Sequence, residues 1–212
     1  MRTDALIDML SRGAGPAPRA VAARRFAPAC AIGLVVSVLI ALALIGTLPA
    51  SVFETPAPWI KLGYTVSLGL AAAWLAGRAA RPAAPLTLPG RAVLAVVLLM
   101  GLGSAVALVF YTAPADRMAA LMGETWQVCA WNVLALSLPA LGLALWAMRG
   151  LAPTRLRMAG FASGLLAGAT GAIGYSLACP EASAAFVAVW YTLGVMLTGL
   201  VGAALGPRVL RW

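Results

Sequence analysis

Two cysteines, Cys129 and Cys179, are the residues of this sequence best suited to chemistry, because each stands at the end of a long apolar stretch. Paired thiols can form a disulfide when their Cα atoms approach within ~7 Å, or they can bind a soft metal ion as thiolates. Glu181, Glu124 and Asp116 are nearby acidic residues that could complete a metal site, since a structural zinc site takes about four ligands. Alternatively, each cysteine is a small apolar core residue. The three interpretations remain open at this stage.

Little else in the chain favours catalysis. The sequence has 3 cysteines and no histidine, and it shows no serine–histidine–aspartate set, no glycine-rich phosphate loop and no paired carboxylates inside an apolar stretch. Cys30 lies at the start of the first apolar stretch, and we expect it to be inert packing. We therefore predict that the protein is not an enzyme and needs no cofactor, apart from a heavy-metal ion bound transiently by Cys129 and Cys179.

The elements that must position these cysteines are membrane spans. The chain is 63% hydrophobic and 10% charged, whereas a soluble domain is roughly half apolar and a quarter charged. A transmembrane helix needs about 20 mostly apolar residues. Six stretches approach that length: residues 26–48, 59–76, 92–111, 128–148, 158–177 and 186–205. The sequence predicts an all-α, polytopic membrane protein, with a cytoplasmic leader at 1–25 and a six-helix transmembrane domain at 26–212.

Basic residues give the expected orientation. All 15 lysines and arginines except Lys61 and Arg117 fall in the leader, in the two loops on the leader's side, or near the C-terminus. Because basic residues are retained in the cytoplasm, both termini are expected inside and both sensing candidates, Cys129 and Cys179, on the oxidising outer side. The bilayer explains the net charge of +9, so no direct contact with nucleic acid is expected. Lys61 is expected to snorkel to the headgroups as an anchor, or to pair with Glu54.

The leader has the pattern of a short amphipathic helix. Thr3 is a suitable N-cap, Asp4 suits the positive end of a helix, and Gly13 suits its close. The apolar face comprises Leu6, Ile7, Met9 and Leu10. A helix of two to three turns is marginal alone in water. It is therefore expected either to dock into a groove of a partner protein or to lie on the inner leaflet.

Several segments of the sequence resemble one family. They are the opening MRTDALIDML, the Arg24–Arg25 pair, WIKLGYT from Trp59, CPE from Cys179, and the closing FVAVWYT and GPRVLRW. The chain resembles the NrsF-like family over its whole length, most specifically in its C-terminal third. This family consists of bacterial inner-membrane anti-sigma factors that act on extracytoplasmic-function sigma factors.

The resemblance implies roles for both regions. The leader, through Thr3, Asp4, Leu6, Ile7 and Leu10, would hold an extracytoplasmic-function sigma factor at the membrane and away from RNA polymerase. Cys129 and Cys179 match the family's cysteine positions and would sense metal or oxidative stress, whereas Cys30 matches none. The alternative function is a small transporter or channel for a neutral solute, although no ionisable residue is expected near the bilayer centre. A purely structural subunit is a third interpretation.

A signal at the outer cysteines must reach a leader on the other side of the membrane. We hypothesise that oxidation or metal binding draws the fourth and fifth spans together, and that the fifth span then shifts against the first, which carries the leader. The fifth span contains Gly160, Gly164 and Gly168 at four-residue spacing, a pattern that lets helix backbones approach closely in lipid.

Overall fold

The computed structural model describes residues 3–13 and 20–211, and every regular element in that part of the chain is helical. A short π-helical turn, Val187–Tyr191, joins the last two helices. The helices are α1 (Thr3–Gly13), α2 (Val21–Leu44), α3 (Pro56–Ala79), α4 (Thr87–Phe110), α5 (Arg117–Met122), α6 (Trp126–Arg149), α7 (Leu156–Ser176), α8 (Ala184–Phe186) and α9 (Thr192–Val209). Two short 3-10 helices, Ala50–Glu54 and Pro114–Asp116, lie in the connections.

The all-α fold and the six spans are confirmed. Six helical segments are long and apolar enough to cross a membrane, and they are α2, α3, α4, the segment Pro114–Arg149 that contains α6, α7, and the continuous segment from α8 to α9. The first span differs most from its predicted limits, because it begins at Val21 and ends at Leu44. Its polar first turn continues the helix through Arg24, and Gly46 ends the helix region with a positive φ of 103°. Hydropathy locates the apolar core of a span and misses the polar turns that extend it.

The helices define two ends of the bundle. Because six crossings return the chain to its starting side, the start of α2 and the end of α9 share one end, which we call the arginine end. It carries Arg24, Arg25, Arg78, Arg149 and Arg208. Cys129 and Cys179 lie at the opposite end, which we call the cysteine end. The predicted placement of these two cysteines at one level is therefore confirmed.

Helix α7 is the centre of the bundle, and it packs against α2, α3, α6 and α9. Its predicted glycine stripe is a packing surface. A Cβ on Gly160 would overlap the carbonyl oxygen of Gly202, and one on Gly168 would lie 2.9 Å from the Cα of Val195. Only hydrogen at these positions lets α7 and α9 approach so closely.

The stripe faces the sixth span, so the hypothesised shift of the fifth span against the first would take place on a different surface of α7. One contact between α7 and α2 is made by the carbonyl of Gly171 and by Gly174, one turn nearer the cysteine end. The Ser37 hydroxyl of α2 donates to the Gly171 carbonyl at 3.4 Å, and a Cβ on Gly174 would lie 3.0 Å from the Cβ of Ser37. Helix α7 thus touches α2 directly, through a different set of small residues.

Candidate functional site

Cys129 and Cys179 are buried inside the cysteine end. Cys129 lies in the first turn of α6, Cys179 lies just past the last turn of α7, and both are 0% exposed. Both thiols are free, and they are near enough to interact electrostatically. Because each thiol is held at the end of a different packed helix, a bond between them would tie α6 to the end of α7.

Two tyrosines pack around these thiols. The ring centroids of Tyr175 and Tyr191 are 5.5 Å apart, and both side chains are almost fully buried. Within the described part of the chain, the Tyr191 hydroxyl has no hydrogen-bond partner. Tyr191 ends the π-helical turn of the sixth span, a rare geometry that often marks functional sites. The cluster therefore places the buried Tyr191 hydroxyl beside the Cys179 thiol.

Lys61 belongs to this cluster, so its predicted role as a snorkelling anchor and the alternative pairing with Glu54 are both wrong. Its side chain is 2% exposed, and its Nζ donates a hydrogen bond to the Cys179 carbonyl at 2.8 Å. That carbonyl follows the last turn of α7, where backbone acceptors lack intrahelical donors. A buried ammonium needs such a partner, and sequence reasoning missed this one because it lies 118 residues away.

Glu181 has a defined structural task. Its Oε1 accepts hydrogen bonds from the backbone N–H groups of Glu124 and Thr125 at 2.8 and 2.9 Å, and from the Thr125 hydroxyl at 2.9 Å. Helix α6 begins at the next residue, so the carboxylate caps its N-terminus and faces the positive end of its dipole. Gly123 makes this possible, because a Cβ there would lie 2.6 Å from Glu181 Oε2.

These contacts limit the metal chemistry of the cluster. In residues 3–13 and 20–211, no three cysteine, aspartate or glutamate side chains converge as a metal-binding group. Glu181 is occupied by its cap, and the Lys61 ammonium lies within electrostatic reach of both thiols, where it opposes an added dication. The metal site on Cys129 and Cys179 with Glu181 stays a prediction. Disulfide formation is the chemistry that needs no third ligand.

Replacing Glu181 by alanine is expected to lower the thermal unfolding temperature in detergent. Three hydrogen bonds to a buried carboxylate are lost, which corresponds to about 2 kcal/mol and about 5 °C. Glu124→Ala is the matched control, because the Glu124 side chain is exposed and only its backbone contacts Glu181. Equal unfolding temperatures for the two variants would contradict the capping role.

The leader forms the expected helix, α1, which precedes the first span in the chain. Thr3, predicted as the cap, is the first helical residue; residues 1–2 and 14–19, with Arg2 and Arg19, lie outside the described residues. The apolar face is open, since Ile7 is 59% and Leu10 64% exposed. The roles of Thr3, Asp4, Leu6, Ile7 and Leu10 in partner binding stay predictions.

Comparison with known proteins identifies the family. The family model described as NrsF, negative regulator of sigma F, matches residues 10–212. A protein of Azospira oryzae named probable anti-sigma-F factor NrsF is 37% identical, and the alignment covers 100% of both chains. One of Caulobacter vibrioides named anti-sigma-F factor NrsF is 39% identical, again over 100% of both. No solved structure matches the chain. A match over nearly the whole chain, with two relatives aligned end to end, shows that the chain belongs to the NrsF family of negative regulators of sigma F.

Proposed function

We propose that this protein is an anti-sigma factor of the bacterial inner membrane that holds an extracytoplasmic-function sigma factor through α1 and releases it on a signal received by Cys129 and Cys179. Membership of a regulatory family supports the class, and both relatives are named anti-sigma-F factors. The observation that carries the proposal is the separation of the two regions. The exposed apolar face of α1 precedes α2 at the arginine end, and the buried thiols lie at the cysteine end.

The two basic residues of the cysteine end support an orientation with both termini in the cytoplasm. The Nζ of Lys61 donates a hydrogen bond to the Cys179 carbonyl. Arg117 bonds to the end of α4, with Nε donating to the Leu108 carbonyl at 3.1 Å and Nη2 to that of Val109 at 2.8 Å. Both basic residues of the cysteine end are therefore explained by hydrogen bonds within the protein. All other arginines belong to the arginine end or to the leader, and basic loops of bacterial membrane proteins are retained in the cytoplasm.

The exposed face of α1 supports a role in partner binding. Its large apolar side chains would gain most from a groove in a protein, because an amphipathic helix docks through residues at three- and four-residue spacing. Asp4 lies in the first turn, where its charge stabilises the helix. A sigma factor that covers Leu6, Ile7 and Leu10 would be held at the membrane surface.

The cysteine cluster supports oxidation as the signal. Hydrogen peroxide would accept two electrons from the pair: one cysteine loses its proton and attacks an oxygen as the thiolate, which gives a sulfenic acid and, with that proton, one molecule of water. The second cysteine loses its proton, attacks the sulfenic sulfur and displaces hydroxide, which takes up that proton and leaves as a second molecule of water, so a disulfide results. A soft metal ion shared by the same two thiolates would also draw them together.

A route from the cluster to α1 runs through α7. Tyr175 of α7 lies against the cluster, and the preceding residue, Gly174, packs on Ser37 of α2. Because α2 is the next helix after α1 in the chain, a shift at the end of α7 would displace the helix to which α1 is joined. A signal can release the partner only if the oxidised and reduced states hold it with different affinities.

Co-purification in detergent tests this function. The full-length protein is expected to carry a sigma factor, and a variant lacking residues 1–13 is expected to lose it while still inserting in the membrane. Treatment with peroxide before solubilisation is expected to release the same sigma factor from the full-length chain. A full-length protein that carries no sigma factor, or a truncated variant that carries as much, would contradict the proposal.

A further inference from the structure

A groove of about 740 Å³ opens between α2 and α3 at the arginine end. Helix α7 forms its floor with Leu166, Thr170 and Ile173. Helices α2 and α3 make few direct contacts, and each packs on α7 instead. The groove is therefore the gap that remains when two spans rest side by side on a common central helix.

The groove has the length of one leaflet. Its lining runs from Ala20 to Leu34 along α2 and from Arg81 to Val66 along α3, which is about 20 Å at 1.5 Å per helical residue. One half of the bilayer's hydrocarbon core is about 15 Å thick. The groove thus begins at the headgroup level and ends near the bilayer centre.

The charged side chains of the groove are confined to its mouth at the arginine end, and the Thr170 hydroxyl on its floor already donates to the Leu166 carbonyl. Two arginines, Arg78 and Arg81, lie at the mouth, and the walls below them are formed by residues such as Phe26, Leu34 and Leu70. The Nε of Arg78 is buried and has no hydrogen-bond partner among the described residues. A buried guanidinium N–H without an acceptor is costly, so the mouth offers an unfilled position for an anion.

Four of the six acidic side chains lie at the opposite end of the bundle from that position. Of the 6 acidic residues, Glu54, Asp116, Glu124 and Glu181 belong to the cysteine end, and Asp4 and Asp8 belong to α1. The groove therefore combines an apolar channel of leaflet depth with two cations at its headgroup end. This is the complement of an amphiphile that has one anionic head and an apolar tail.

We propose that this groove binds one anionic phospholipid of the leaflet at the arginine end. The phosphate accepts hydrogen bonds from Arg78 and Arg81, and one acyl chain fills the gap between α2 and α3 down to Leu34. Arginine suits this task because its planar fork of N–H donors matches a phosphate. The bound lipid would brace α2, the helix that follows the leader, against the rest of the bundle.

The test measures phospholipids that co-purify with the full-length protein in a neutral detergent. Extracted lipids are quantified by mass spectrometry, and the unfolding temperature is recorded with added phosphatidylglycerol or phosphatidylcholine. The wild type is expected to retain phosphatidylglycerol or cardiolipin and to be stabilised by phosphatidylglycerol alone. An Arg78→Ala, Arg81→Ala variant is expected to bind at least about tenfold more weakly.

A second variant blocks the tail and leaves both arginines in place. Gly77 lines the groove, and a Cβ added there meets nothing within 4 Å, so the side chain of Gly77→Leu can enter the groove without a clash at its Cβ. It is also expected to lose the lipid. Gly63→Leu on the same helix is its control, because Gly63 has the same open surroundings and lies outside the groove. Arg91→Ala, on an exposed arginine of α4, is the control for charge.

Retention by the groove variants equal to that of the wild type would overturn the proposal. So would equal stabilisation by phosphatidylcholine, equal losses in the two control variants, or a cross-link from the groove to a second copy of the chain. None of these readouts depends on a sigma factor, so they test the lipid site independently of the proposed function.

Discussion

An Ile7→Asp, Leu10→Asp variant is expected to leave a sigma-dependent reporter fully active without any inducer. Both side chains are exposed on the apolar face of α1, at 59% and 64%, so the substitutions do not disturb the packed bundle. Placing two carboxylates in an apolar groove of the partner would weaken binding by about 3 kcal/mol or more, which is over a hundredfold. The reporter is a promoter that the cognate sigma factor recognises.

Ser11→Asp is the matched control for this variant. Ser11 lies on the polar side of α1 and bonds to the Asp8 carbonyl through its hydroxyl at 2.9 Å, and it is exposed. Its substitution adds a charge to the same short helix and is expected to leave the reporter silent. If both variants derepressed the reporter equally, the affinity of α1 for the sigma factor would depend on the charge of the leader and not on its apolar face. A silent reporter in the double variant would exclude α1 as the binding element.

Replacing Cys129 and Cys179 together by serine is expected to abolish induction by oxidant or metal while repression persists. Serine is nearly the size of cysteine, so both fully buried positions keep the packing of the reduced state but cannot form a disulfide. The ratio of induced to uninduced reporter activity is expected to fall to the level seen without the inducer. The reporter assay is paired with alkylation of the denatured protein, which counts free thiols by mass.

Cys30→Ser is the control for the cysteine variant. Cys30 is half-buried beside the groove of α2 and α3, so its loss should leave induction unchanged. In the wild type, oxidant treatment is expected to lower the number of alkylated thiols by two relative to untreated protein. Adding and then removing a metal is expected to leave that number unchanged. Normal induction in the double-serine variant would eliminate the sensing role of the cluster.

The six spans could be predicted from the sequence because each depends on a property local to it. In lipid, the backbone N–H and C=O groups of a span must form hydrogen bonds within their own helix, so a long apolar run predicts a helix. The placement of Cys129 and Cys179 at the same end of the bundle could be predicted as well, because consecutive spans cross the membrane in opposite directions. The glycine stripe of α7 could be recognised as a packing surface, although the identity of the helix that it faces could not.

The contacts inside the cysteine cluster could not be predicted because they join distant parts of the chain. Lys61 looked like an interfacial residue from its position near the start of α3, and only the fold brings the Cys179 carbonyl within 2.8 Å of its Nζ. Glu181 looked like a metal ligand because it follows Cys179 closely. Its carboxylate instead meets the start of α6, 57 residues earlier. The groove beside α2 has no sequence signal, since it is a gap between helices.

Labelling of engineered cysteines in intact cells tests the central claim, which is that α1 and the cysteine cluster face opposite compartments. The three natural cysteines, which are buried or half-buried, are replaced by serine so that only engineered thiols can react. Single cysteines are then placed at two exposed positions, Ser11 in α1 and Ser51 at the cysteine end. A membrane-impermeant maleimide is expected to label Ser51→Cys in intact cells and Ser11→Cys only after lysis. Labelling of Ser11→Cys in intact cells, or of Ser51→Cys only after lysis, would contradict the account.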